Sequence, residues 1–469
     1  MASGQAFIGA IDVLSRETML FAAVGFLFGG IDDLAIDLIF FALLGRRRMA
    51  GAAGRRQTVA DFPIDRDHGR IAVFVPAWDE SAVIGAMLTA ALARFRHPDY
   101  ALYVGAYPND RATIDAVAAV AARDRRVRLV IGAVDGPTTK ACCLNTLWRA
   151  LLRDEAATGR PAKAIVLHDA EDVVHPAELA IFDRLIERYE VVQLPVLPLV
   201  DRQSRLVAGH YCDEFAEAHA KQLVVRGALG AGLPLAGVGC AIARDVLATI
   251  AARRGGDPFD SASLTEDYEL GLGIDALGGR GVFARIAEEA DGPIVSVRAY
   301  FPSELDAAIR QKARWITGIA LAGWDRVGWA GVTDWRDHWM RMRDRRAPIA
   351  VLVLAVAYIA LLAWGMSLAA HAFAGGVAPL VSPPIAAVMA VNAGLLCWRL
   401  TMRVAFTGAA YGWREACWAV PRALVGNFIA LLAARRAVTR YIAMLRGGSA
   451  EWEKTRHSFP TDISAAVAR

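Results

Sequence analysis

The stretch Ala164-Ile165-Val166-Leu167-His168-Asp169-Ala170-Glu171-Asp172-Val173-Val174-His175-Pro176 decides the fold. Its apolar start reads as a buried strand, and the carboxylates crowded at its end read as a site placed where that strand stops. Side chains alternate along an extended chain, so Asp169 and Glu171 point to the same side. Two same-side carboxylates can share a divalent cation, and oxygen ligands suit Mg²⁺ or Mn²⁺ carried on a diphosphate. A helix N-cap with surface charge accounts for the same letters, so the neighbouring segments have to decide.

Upstream, Arg70 to Val75 is a second apolar run, ended by Pro76-Ala77-Trp78-Asp79-Glu80, and Ser81 to Arg94 has helical spacing. Tyr100 to Gly105 and Val127 to Ile131 are further strands, with a helix over Arg111 to Ala122 between them. Alternation of this kind predicts an α/β domain with a mainly parallel sheet, which binds ligands at the carboxyl ends of its strands. The polar clusters at Glu80, Asp110 and Asp169 fall at those ends. Lys140, the first lysine of the chain, opens a helix that also carries Asn145. A flexible cation at a helix start can reach a phosphate, although a plain helix-start lysine reads the same way.

Downstream, Leu235 to Ile242 is small and flexible, as a close backbone approach to a ligand requires; tight internal packing requires the same. Leu264-Thr265-Glu266-Asp267-Tyr268 is a second acidic knot, with Thr265 placed to cap the helix that begins there. Gln311, Arg314 and Trp315 share one helical face, offering an amide, a fork of donors for phosphate and a ring for the apolar side of a sugar.

The chain has 469 residues, 55% of them hydrophobic, with a mean hydropathy of +0.34. That is too apolar for an ordinary soluble enzyme and calls for a membrane part. The net charge of +4 is small and its arginines sit beside apolar segments, which fits membrane topology and not a nucleic-acid partner. Six cysteines without a CxxC pair fit reduced thiols better than a zinc site or a disulfide frame. Thr18 to Leu44, interrupted by Asp32, Asp33 and Asp37, reads either as one tilted span or as a short span with an interfacial helix. Arg46, Arg47, Arg48, Arg55 and Arg56 place the α/β domain after them in the cytoplasm, and no basic region precedes the run as in a signal peptide. The runs 348–370 and 380–400 are long enough to cross a bilayer as a hairpin, whereas 416–434, holding Pro421, Arg422 and Asn427, reads as interfacial. The expected organisation is an N-terminal membrane segment (1–48), a cytosolic domain (60–330), a transmembrane hairpin (345–402) and interfacial helices with a cytosolic tail (403–469).

Taken in order, Val75-Pro76-Ala77-Trp78-Asp79-Glu80, Asp110, Lys140, Asp169 with Glu171, Thr265-Glu266-Asp267 and Gln311-Arg314-Trp315 resemble the membrane-bound family 2 glycosyltransferases, the group of cellulose and hyaluronan synthases. The wording HDAEDVVHP, GPTTKACCLN and the closing Trp452-Glu453-Lys454-Thr455-Arg456-His457 look closest to the branch of the phage-adsorption B proteins. The resemblance implies a GT-A domain (Rossmann-like, mostly parallel sheet) set between transmembrane helices in a bacterial inner membrane. Its donor would be a nucleotide-diphosphate sugar, UDP-linked, and its acceptor a glycan or a lipid. Pro76, Ala77, Glu80, Asp110, Lys140, Asn145 and Asp169 would bind the donor. Asp169 and Glu171 would hold Mg²⁺ or Mn²⁺, with Asp172 a substitute ligand. Asp267 would be the general base of an inverting transfer, beside Glu266, with Gln311, Arg314 and Trp315 at the diphosphate and acceptor. About three spans look too few to enclose a polysaccharide path alone, which implies a homo-oligomer or an outer-membrane export partner. Sugar transfer to a polyprenyl phosphate, or a silent membrane scaffold that keeps the fold, are the competing expectations.

Overall fold

The computed structural model describes residues 2–51, 56–64, 68–448 and 456–467; Arg55 and the Trp452–Thr455 part of the tail lie outside the described residues. A helix α1 (Ala2–Met49) precedes strands β1 (Ile71–Pro76), β2 (Tyr100–Ala106), β3 (Val127–Ile131) and β4 (Ala164–Leu167). Helices α2 (Ile84–Arg94), α3 (Arg111–Ala121), α4 (Lys140–Thr158) and α5 (Glu178–Leu185) alternate with them. With β5 (Val191–Gln193), β6 (Cys240–Ala243) and β7 (Gly281–Phe283) these strands form a seven-stranded sheet in the order β3-β2-β1-β4-β6-β5-β7. Every neighbouring pair is parallel except those made by β6, which runs antiparallel to β4 and β5.

The central strands are buried on both faces, as a sheet covered by crossover helices requires. Along β1 the alternation is direct: Ile71, Val73 and Val75 enter one core, with Met87, Val117 and Phe182, while Ala72 and Phe74 enter the other, with Leu147, Trp148 and Ile242. Two packed layers thus fix the carboxyl ends of β1 and β4 beside each other.

The remaining helices of the domain follow. They are α6 (Val207–Glu217), α7 (Leu223–Leu229), α8 (Arg244–Arg253), α9 (Glu266–Ala276), α10 (Leu305–Trp315), α11 (Gly323–Val327) and α12 (Trp335–Arg345). Helix α10 runs into a π-helical segment, Ile316–Ala322, so that 305–327 is nearly continuous. Then come α13 (Ala347–Phe373), α14 (Pro383–Tyr411), α15 (Trp413–Ala416), α16 (Ala419–Leu445) and α17 (Ile463–Val467).

Among the described residues α13 and α14, 27 and 29 residues long, are long and apolar enough to cross a membrane. The hairpin therefore runs on to Tyr411, and the expected boundary at 402 falls inside α14. Helix α1 is one unbroken helix, without the break that a span followed by an interfacial helix would need. It lies antiparallel to α13. Near its start Asp12 meets Ser367 and His371, at 2.5 and 3.0 Å, and further along Asp32 and Asp33 pair with Arg343 and Arg346. Asp37 pairs with Lys221 and accepts from Trp398 Nε1 at 2.8 Å. Each acid of α1 that reads as costly in an apolar helix thus has a partner on a neighbouring helix. Helix α16 starts at Ala419, and Arg422 in its first turn is buried against Asp213, Glu415 and the Arg205 carbonyl, anchoring the helix to α6.

Candidate functional site

At the end of β4 the chain turns sharply, and a buried network sets the turn. Asp172 Oδ2 accepts from the backbone N–H of Asp169 (3.0 Å) and contacts His168 Nδ1 (2.9 Å), while His168 Nε2 meets Glu178 Oε1 at 2.6 Å. Burial opposes charge on His168, but Glu178 and Asp172 outweigh it and push its pKa up to about 10. These contacts lock the turn and commit Asp172 to it, which argues against Asp172 as a substitute ligand.

That turn aims Asp169 and Glu171 into a cleft of about 440 Å³. Thr139 caps α4 by accepting from the Cys142 N–H (3.2 Å), which places Lys140 on the first turn with its Nζ 2.6 Å from Asp169 Oδ1. Burial disfavours charge on both, yet each holds the other ionised: Lys140 is pushed up, and Asp169 is held below the usual carboxylate range. Glu171 goes the other way. Burial, with Asp169, Glu80 and Asp172 nearby, raises it to about 8, against the opposing effect of His457.

The second acidic knot forms the facing wall. Thr265 stands at the N-cap of α9 but its hydroxyl makes no capping bond, contrary to expectation; its Oγ1 is buried without a hydrogen-bond partner among the described residues. Asp267 Oδ1 accepts from the Tyr268 N–H (2.8 Å), and burial raises both Asp267 and Glu266, the latter to about 7. Gly237 passes directly over Asp267: a Cβ there would lie 2.5 Å from Asp267 Oδ2 and 3.3 Å from Lys140 Nζ. Its φ of +73° is a second reason for glycine. Within the small stretch 235–242, Gly237 therefore serves a close approach to site side chains, while Gly239 is crowded by Val297 and serves packing.

From α10, Gln311, Arg314 and Trp315 complete the cleft. Gln311 Oε1 and Arg314 Nε are buried with no hydrogen-bond partner among the described residues, as is Glu171 Oε2. Buried polar atoms of this kind in a cleft can bind water, an ion or a ligand. Trp315 lies edge-on to Tyr211 (6.0 Å) and tilted against Phe215 (6.3 Å). The far end of the cleft reaches Ile36 of α1 and Met340, Arg343 and Arg346 at α12 and the start of α13, so it opens toward the apolar helices.

Other expected site residues sit apart from these walls. Asn145 is buried on α4 with both ends of its amide taken by the Phe259 backbone, at 2.8 and 3.0 Å; it clamps the 257–263 loop and is not free to bind a donor. Pro76 and Ala77 end β1 and are buried, and Asp110 caps α3 while accepting from the Asp79 N–H at 2.6 Å. None of the three lines the cleft. Asp79, held by that bond, has φ +53°, a left-handed conformation rare outside glycine. Glu80 reaches the cleft rim through His457, whose Nδ1 is 2.8 Å from Glu80 Oε1 and 3.2 Å from Glu171 Oε2. Sequence reading places His457 only within a tail motif, since nothing local joins positions 377 residues apart.

Residues 68–318 match the family model described as glycosyltransferase like family 2. The chain is 32% identical over 467 residues to bacteriophage adsorption protein B of Escherichia coli (strain K12), an alignment that covers 94% of this chain and 61% of that protein. The chain therefore spans about three fifths of the length of that relative. Among solved structures it is similar to the mannosyltransferase PcManGT from Pyrobaculum calidifontis, with a TM-score of 0.51 and 17% identity, covering 90% of this chain and 99% of that one. The likeness shows a GT-A fold, and by the family match over more than half of its length the chain belongs to glycosyltransferase family 2.

Proposed function

We propose that the chain is an inverting, membrane-bound glycosyltransferase that takes a nucleotide-diphosphate sugar, UDP-linked in the first instance, and builds a surface or exported polysaccharide at the bacterial inner membrane. The observation that carries this reading is the convergence of Lys140, Asp169, Asp267 and Arg314, from four separate elements, on one cleft.

In this reading the diphosphate lies between Lys140 and Arg314, whose buried Nε lacks a partner. Asp267, raised by burial, accepts the proton of the acceptor hydroxyl as the new glycosidic bond forms on the opposite face from the departing nucleotide. Gly237 and the Tyr268 N–H orient that carboxylate. Trp315 supports the acceptor ring. The donor set at Glu171 fits a divalent cation, because one buried carboxylate oxygen accepts no hydrogen bond among the described residues. Bound there, Mg²⁺ or Mn²⁺ would neutralise charge on the leaving diphosphate.

The opening of the cleft toward Ile36, Arg343 and Arg346 favours a second reading for the acceptor, a lipid phosphate entering from the membrane side. The test is nucleotide release by the detergent-purified protein over a panel of UDP- and GDP-sugars with Mg²⁺ or Mn²⁺; GDP-sugars are included because the similar structure of PcManGT was solved with GDP-Man and Mn²⁺. Turnover with one sugar that Asp169→Ala loses supports the transferase. A polyprenyl phosphate that becomes glycosylated selects the lipid reading, and absence of turnover with every donor and acceptor favours a silent scaffold.

A further inference from the structure

We propose that Asp344, in the last turn of α12, is a positioning residue for Asp267: it acts through the Tyr268 hydroxyl and so ties the transfer step to the membrane helix α1. The inference rests on the transferase reading with Asp267 as its base.

Helix α12 carries two stripes at the same helical spacing, and they face different neighbours. Asp337, Arg341 and Asp344 turn toward the cytosolic domain. Asp337 Oδ1 accepts from the Gly232 N–H (2.9 Å), Asp337 also pairs with Arg341, and Asp344 takes Arg226 Nη1 of α7 on both oxygens, at 2.8 and 2.9 Å. Trp339, Arg343 and Arg346, the last just beyond the helix end, turn toward α1. Trp339 Nε1 donates to Asp32 Oδ1 at 2.6 Å, and both arginines pair with Asp32 and Asp33. With α12 held on both sides, α1 and α7 together set the place of Asp344.

Asp344 Oδ2 also accepts from the Tyr268 hydroxyl, 3.1 Å away. Tyr268 is 3% exposed, and burial with the neighbouring Asp344 pushes its pKa up, so it keeps its proton and donates. Its backbone N–H, in the first turn of α9, holds Asp267 Oδ1 at 2.8 Å. A residue pinned at its ring tip and bound through its N–H to the carboxylate cannot turn without moving that carboxylate. Thr265 makes no side-chain bond at the N-cap, and Glu269, held by Ser263 and Arg326 at 2.6 Å each, fixes the helix one residue further on. Tyr268 therefore supplies the restraint nearest the base.

The test measures kcat and the donor and acceptor KM of the full chain in detergent, with the sugar nucleotide that the wild type turns over. Rates are scaled to the number of UDP-binding sites, so that unfolded protein does not count, and thermal melts accompany them. Tyr268→Phe deletes only the hydroxyl and is expected to lower kcat about tenfold with both KM values unchanged, the order expected when a reacting group moves by a fraction of an ångström. Asp344→Asn is used in place of alanine, which would leave the buried charge of Arg226 unpaired. It is expected to lower kcat alone and to lower it no further in the Tyr268→Phe background, because residues that act through one contact are not additive. Wild-type kcat per site in Tyr268→Phe, with only a lower melting temperature or fewer UDP sites, overturns the proposal and leaves the hydroxyl a structural role. An Asp344→Asn effect that persists undiminished in the Tyr268→Phe background overturns it too, since Asp344 then acts by another route. An unchanged kcat with a raised acceptor KM overturns it by making the pair an acceptor contact. Each of these leaves the transferase standing, whereas a wild type without turnover on any donor and acceptor removes both the transferase reading and this inference.

Discussion

Lys140 Nζ lies 2.6 Å from Asp169 Oδ1, joining the first turn of α4 to the end of β4 across the floor of the cleft. The pair balances its own charge without a ligand, and the lysine Nζ makes one further hydrogen bond among the described residues, a long 3.4 Å one to the Gly237 carbonyl, so it can swing to a diphosphate. Lys140→Met is expected to weaken UDP binding by about 1.5–3 kcal/mol, roughly 10–150-fold, the scale of a hydrogen bond to a charged group. Isothermal titration with UDP measures this, and an unchanged Kd removes Lys140 from the diphosphate.

Asp267 is separated from that pair by Gly237, and its carboxylate is oriented by the Tyr268 N–H. Asp267→Asn keeps shape and loses basicity. Transfer should fall by about 10²–10⁴-fold, the usual range for a positioned base, while UDP affinity stays near that of the wild type. Turnover retained in the variant takes the base role away from Asp267.

The sheet was legible because β1, β2 and β4 are apolar runs stopped by polar clusters, and the parallel order comes from the helices between the strands. The cleft was legible in part, through Asp169, Glu171, Asp267 and the α10 face. Asn145 misled because a buried amide at helical spacing looks the same whether it binds a ligand or the Phe259 backbone. The pairing of Asp32 and Asp33 with Arg343 and Arg346, and the return of His457 to Glu80, depend on how distant segments pack, which local spacing does not encode.

Gly237 gives a test of positioning that leaves every charged group in place. Its φ of +73° and the 2.5 Å separation that a Cβ would have from Asp267 Oδ2 mean that Gly237→Ala must strain the backbone and move the carboxylate. The expected loss of stability is about 1 kcal/mol. The kinetic loss should be larger and fall on kcat, with KM for the donor less affected. A variant with wild-type kcat would show that the close approach serves packing alone.

Away from the cleft, Asp183 clasps α5 to the starts of β1 and β4: its Oδ1 accepts from the Gly69 N–H at 3.0 Å and from Lys163 Nζ at 2.8 Å, with His97 Nε2 3.9 Å from the other oxygen. Burial disfavours the charged carboxylate, but His97, Lys163 and the amide outweigh it and hold its pKa down to about 2, against 3.8 for the free side chain. A depressed folded-state pKa means stability that is present above the unfolded value and lost as pH falls from about 4 through 2. The difference corresponds to about 2 kcal/mol at neutral pH. Asp183→Asn should therefore be less stable than the wild type by about that amount in urea at pH 7, and the gap should shrink to roughly half at pH 3, where the unfolded wild type takes up the proton first. A gap that stays constant between pH 7 and pH 3 would show that the clasp works by shape and hydrogen bonding and owes nothing to its charge.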